Sequence, residues 1–170
     1  MHLRRLALAL FLAAPAAHAQ FAVLPYVGYD LDAETAVFGL GAEVALPLAT
    51  PVGLSIRPSG EYLLIRDIDI AGRTFQQIIS QLNLDVIARF GTPGLQPYAG
   101  AGVSVRSVDL DTSDNDDVEG DQDITETNVG ANLLGGAEFG AGALRPFVQG
   151  RLTLGDGSML SILGGVVFRF

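Results

Sequence analysis

The sequence contains no cysteine, no tryptophan and no lysine, and its two histidines, His2 and His18, both fall within the first nineteen residues. Without cysteine there is no disulfide framework, no thiolate metal site and no lipid-modified cysteine anchor. Without lysine, and with 19 acids against ten arginines, the chain lacks the clustered cations that phosphate backbones require, so nucleic acid is excluded as a partner. Imidazole is the one side chain that titrates unaided near neutral pH, so histidine confined to the leader removes Ser-His and His-Asp catalysis from the rest of the chain. A carboxylate pair of the glycosidase kind is the remaining route, but every inward acid named below has an arginine available and no open cleft is implied. A non-catalytic protein without cofactor is therefore expected. Beyond the leader, Gly, Pro, Arg or acids interrupt every window of about twenty residues, the apolar length a spanning helix needs, so a helical membrane protein is not expected.

What is present begins with a leader. Met1 to Arg5 is basic, Leu6 to Ala17 is apolar, and Ala17-His18-Ala19 fits a small-x-small cleavage site. Residues 1–19 are expected to be a cleaved signal peptide, and residues 20–170 one domain. About twelve apolar residues are too few for an uncleaved anchor. Removing 19 of 170 residues leaves 151, with eight arginines, 19 acids and a formal charge of −11.

The chain closes on MLSILGGVVFRF, Met159 to Phe170. Taken alternately, Leu160, Ile162, Gly164, Val166, Phe168 and Phe170 make a face without a polar atom. A strand with one apolar face and terminal aromatics suits hydrocarbon outside and a membrane interface at its end. Seven further stretches alternate likewise: Phe21–Asp30, Ala36–Leu48, Val52–Arg66, Gln77–Phe90, Gln96–Val108, Thr127–Phe139 and Arg145–Leu154. Gln77–Phe90 also fits a helical stripe, but its neighbours are strands joined by short connections and Leu84 falls off that stripe. Pro25-Tyr26, Pro97-Tyr98 and Pro146-Phe147 form a weak echo, each opening a hairpin. Turns after the second, fourth and sixth strands are tight, and one connection on the opposite side is long. Short turns on one side and longer loops on the other are the asymmetry of outer-membrane barrels.

With its signal peptide, eight alternating strands and the closing Gly164-Gly165-Val166-Val167-Phe168-Arg169-Phe170, the chain resembles the eight-stranded outer membrane protein β-barrel family of the OmpA/OmpX and opacity-protein type over Phe21–Phe170. The resemblance implies an all-β, eight-stranded antiparallel up-and-down transmembrane barrel in the outer membrane of a Gram-negative-type bacterium. It implies a C-terminal assembly signal, carried here by Ile162, Gly164, Val166, Phe168 and Phe170, which the outer-membrane insertion machinery recognises. Lipid and lipopolysaccharide would be its surroundings, and a monomer its state. Pro58 departs from the pattern: inside a strand of a closed barrel it is expected to force a bulge or admit local water. The aromatic girdles fall to Tyr29, Phe38, Tyr62 and Phe75 on one side and Phe90, Phe139, Phe168 and Phe170 on the other.

Two constellations could carry chemistry. The inward faces collect Asp30, Glu43, Glu61, Asp85 and Glu138 with Arg57, Arg89, Arg106, Arg151 and Arg169. Enclosed charges must pair, so a ladder of ion pairs filling the lumen is expected, with a narrow solute channel as the alternative. The acidic loop Asp109 to Glu126, DLDTSDNDDVEGDQDITE, spaces Asn115, Asp117, Glu119, Asp121, Asp123 and Glu126 around Gly120 like a calcium loop. Asn at its first position, Gln122 in place of the usual apolar residue two after the glycine, and the lack of expected flanking helices favour a solvated acidic loop over a divalent-cation site. A structural or surface-interaction role is the primary expectation. A secreted lipocalin-like barrel, the third alternative, requires the opposite polarity, apolar inside and polar outside.

Overall fold

The computed structural model describes residues 21–48, 52–64, 68–70, 73–92, 94–112, 124–155 and 157–170. The expected signal peptide lies outside the described residues. Among the described residues nine strands follow one another: β1 (Phe21–Asp30), β2 (Thr35–Ala45), β3 (Gly53–Leu64), β4 (Ile68–Ile70), β5 (Arg73–Arg89), β6 (Gly94–Thr112), β7 (Ile124–Gly140), β8 (Leu144–Leu154) and β9 (Met159–Arg169). Consecutive strands pair antiparallel except β3 and β4, β1 also pairs with β9, and β3 pairs with β5, which closes eight strands into a barrel. The remaining strand, β4, is a three-residue spur that, among the described residues, pairs with Arg73–Phe75 of β5 alone. Gln77–Phe90, ambiguous by periodicity, is strand to Arg89 because both its edges find partners in β3 and β6.

The side-chain period of two sorts the wall. Leu40, Leu82, Leu84, Val86, Val103, Val129, Leu133, Val148 and Ile162 are exposed outward, while the alternate positions are buried in the lumen. Leu82, in the middle of β5, is 68% exposed. Stranded in water, such a wall would aggregate; in hydrocarbon it is the favourable surface. Its polarity is the reverse of a soluble binding barrel. Aromatics mark the rims: Tyr29, Phe38 and Tyr62 at one end, and Phe90, Phe139, Phe168 and Phe170 at the other, all exposed. Phe21 joins the second belt, its ring 6.2 Å from that of Phe170. Phe75 stands in β5, but its side chain lies outside the described residues.

Pro58 does not force a bulge. The β3–β5 register runs unbroken through Pro58↔Leu84. On the other edge, pairing with β2 lapses between Gly41↔Ser59 and Val44↔Ile56 and resumes in the same register. The missing N–H thus costs a gap in one ladder rather than an extra residue. The other strand prolines use the same device. The β1–β9 ladder skips Leu24 and Pro25, the β5–β6 pairs stop at Arg89↔Tyr98 just before Pro97, and the β7–β8 pairs stop at Glu138↔Phe147 just before Pro146.

The residue after three of these prolines is an inward aromatic, Tyr26, Tyr98 or Phe147, each at most 6% exposed. Tyr26 and Tyr98 lie over a glycine of the neighbouring strand, Gly39 and Gly136 respectively. A Cβ on either glycine would run into the tyrosine ring. The glycine is there so that a large ring can lie flat against the barrel wall.

The acidic connection is shorter than expected. Asp109–Thr112 belong to β6 and Ile124–Glu126 to β7, because backbone pairing with Phe75–Ile78 and with the facing strand carries the sheet beyond the apolar belt. Asn115, Asp117, Glu119, Asp121 and Asp123 lie outside the described residues, and Glu126 is an exposed β7 residue paired with Val108.

Candidate functional site

The interior is the site with chemistry to examine. All ten charged residues expected inside the barrel point into it, but they do not form one ladder. Toward the end with the short turns, Glu43 receives Arg57 through Nε at 3.1 Å and Nη2 at 2.9 Å, and also pairs with Arg89. Arg89 continues to Ser55 Oγ at 2.8 Å and to Glu138 Oε1 at 2.9 Å. Arg169 donates to Glu138 Oε2 at 2.7 Å and comes within 3.6 Å of Glu43 Oε1. Arg145, not expected here, stands 3.9 Å from Glu138 and donates to Gln96 Oε1 at 2.6 Å.

Nearer the end with the longer connections, Arg151 pairs with Glu61 and lies 3.5 Å from Asp85 Oδ2. Glu61 also accepts the Tyr26 hydroxyl at 2.7 Å. Around this triad the links are uncharged. Asn132 Nδ2 donates to Asn83 Oδ1 and Asp85 Oδ1, each at 3.0 Å; Gln81 donates to Asn83, and Thr153 to Asn132. Arg106 donates to Gln81 Oε1 at 3.0 Å.

Among the described residues Asp30 makes no direct ion pair with an arginine, although its charge acts on Arg106. Its carboxylate accepts the backbone N–H groups of Asp32 and Ala33 and the hydroxyl of Ser161, and so fastens the β1–β2 turn. A five-to-five pairing of acids and arginines is therefore replaced by two ionic clusters of unequal richness and one turn cap. Gln149 extends the short-turn cluster across the lumen: its Oε1 accepts from Arg57 at 2.9 Å and from the Tyr98 hydroxyl at 3.1 Å. Arg57 also sits 5.2 Å over the Tyr98 ring.

Nor is the filling only polar. Leu24, Tyr26, Val37, Leu63, Ile79, Phe147, Met159, Leu163 and Val167 form one buried cluster, and Ile87, Tyr98 and Leu134 another. Alternation already placed Leu24, Leu163 and Val167 on inward faces, so the signal for this column was available in the strand pattern.

No family model matches the chain. A stretch of 53 residues is 43% identical to outer membrane porin F of Pseudomonas aeruginosa, covering 30% of this chain and 14% of that protein's length. Among solved structures, the N-terminal β-barrel domain of Pseudomonas aeruginosa OprF aligns over 89% of this chain and 97% of its own, with TM-score 0.59 and 17% identity. Ail, the attachment invasion locus protein of Yersinia pestis, aligns over 89% and 98%, with TM-score 0.62 and 10% identity. The chain has the fold of the eight-stranded outer-membrane β-barrels. With an apolar belt around that fold, this outer-membrane barrel belongs in the outer membrane of a Gram-negative-type bacterium. The outer membrane enzyme PagL shares the fold as well, at TM-score 0.54, 14% identity and 86% of this chain. Fold likeness therefore leaves activity to be argued from the lumen and surface.

Proposed function

We propose that this outer-membrane barrel is a closed, non-catalytic protein with a structural or surface-interaction role. The observation that supports it best is the cross-linked filling of the lumen. Arg57, Gln149 and Arg151, all at most 3% exposed, reach across to partners on distant strands at successive levels, and the apolar cluster occupies the facing side. An ion path would have to part buried ion pairs, and leaving one partner uncompensated costs roughly 3–5 kcal/mol. Eight strands leave little free bore in any case.

The non-catalytic reading rests on the lack of histidine and cysteine after residue 19 and on the engagement of the lumen carboxylates with arginines, amides or hydroxyls. No cofactor is required by this role. Its partners would be outer-membrane lipid, lipopolysaccharide at the outer rim, and the insertion machinery acting on Ile162, Gly164, Val166, Phe168 and Phe170, with the barrel acting as a monomer. The surface-interaction reading falls on the acidic sequence between β6 and β7, and calcium titration of the purified barrel tests whether that sequence takes a divalent cation. Single-channel recording on the refolded protein tests the closed lumen: no steady conductance is expected, and a persistent open level would establish the channel reading instead.

A further inference from the structure

At the short-turn end the lumen opens into a polar cavity of about 310 Å³, lined among others by Leu54, Arg89, Phe90, Gln96, Arg145 and Arg169. Four guanidiniums, those of Arg57, Arg89, Arg145 and Arg169, gather here around two carboxylates, Glu43 and Glu138. The side-chain charge is left positive. Donor capacity is also left over: Arg169 Nε is buried with no hydrogen-bond partner among the described residues, and its Nη1 stays 3.6 Å from Glu43. Arg145 lies 3.9 Å from Glu138, beyond hydrogen-bond reach, and is held in place by the Gly142 carbonyl at 3.0 Å and by Gln96.

Surplus positive charge, unspent guanidinium donors and a void large enough for a small ion make a site for an oxyanion, and the planar fork of arginine matches phosphate in particular. We infer that the short-turn mouth of the barrel binds a phosphate-type oxyanion, with Arg145 and Arg169 as its principal ligands. Arg57 and Arg89 are committed to Glu43, Glu138, Ser55 and Gln149 and supply background charge. The outward-facing Leu54 and the exposed Phe90 border the same cavity, so a phosphate ester on a lipid would find apolar contact beside its charged group.

The test uses the refolded protein in neutral detergent with 15N-labelled arginine. The Nε–Hε signals are followed while inorganic phosphate is added in one arm and dihexanoyl phosphatidylglycerol in the other. Saturable shifts of Arg145 and Arg169 are expected. Response to phosphate in the first arm identifies a free-ion site, and response to the lipid alone identifies a headgroup site. Arg145→Gln, which leaves both cluster carboxylates paired, should keep the circular-dichroism spectrum and weaken binding about tenfold. Arg169→Gln should do the same, and if it fails to fold, Arg145→Gln decides alone. No saturable shift in either arm, or undiminished affinity in Arg145→Gln, overturns the assignment.

Discussion

The two halves of the lumen solve the same problem differently. In the short-turn half each carboxylate is redundantly compensated: Glu43 faces Arg57, Arg89 and Arg169, and Glu138 faces Arg89, Arg169 and Arg145. In the other half a single cation, Arg151, serves both Glu61 and Asp85 among the described residues, and amides and hydroxyls complete the network. Redundancy lets a cluster lose one member without leaving a bare buried charge. A lone cation offers no such margin. The comparison also separates roles, since four guanidiniums around two carboxylates leave the short-turn half with surplus positive charge, while in the other half Arg151 is shared between two carboxylates.

The largest expected effect breaks the weaker half. Arg151→Met leaves Glu61 and Asp85 buried without their cation and should destabilise the barrel by roughly 3–5 kcal/mol, seen as a lowered urea midpoint in micelles. Adding Glu61→Gln and Asp85→Asn removes the uncompensated charge and should recover most of that loss; no recovery would mean that packing, not charge, sets the cost. A smaller effect is expected from Arg57→Met, about 1.5–3 kcal/mol, because Glu43 keeps Arg89 and Arg169. Should Arg57→Met prove as costly as Arg151→Met, redundancy is not what distinguishes the halves. The smallest belongs to the uncharged links: Thr153→Val removes one hydroxyl donor to Asn132 and should cost about 1 kcal/mol by the same measurement.

Much of the architecture was already in the pattern. Alternation put Phe38, Leu40, Leu82, Val129 and Ile162 outward and Glu43, Arg57, Asp85 and Arg151 inward, since a strand's period of two fixes which side a residue takes once one face must meet hydrocarbon. Strand ends were less accessible. β6 runs to Thr112 and β7 begins at Ile124 through a stretch rich in Asp, Thr and Glu whose polar composition reads as loop, because main-chain hydrogen bonds hold a ladder together whatever its side chains. Pro58 looked like a defect and is a one-sided gap in a ladder, which depends on which neighbour its missing N–H faces.

The candidate site divides the same way. That five acids and five arginines share the lumen follows from their positions along the strands. That Arg57 reaches Gln149, 92 residues on, that Asp30 is spent on a turn and Ser161, and that Arg145 joins the short-turn cluster do not. Local chemistry along the chain determined the membrane-facing wall, the enclosed charges and the closing strand. Closure of the barrel decided which charges meet and where positive charge is left over, because neighbours across a lumen are set by the stagger of eight strands and not by spacing within any one of them.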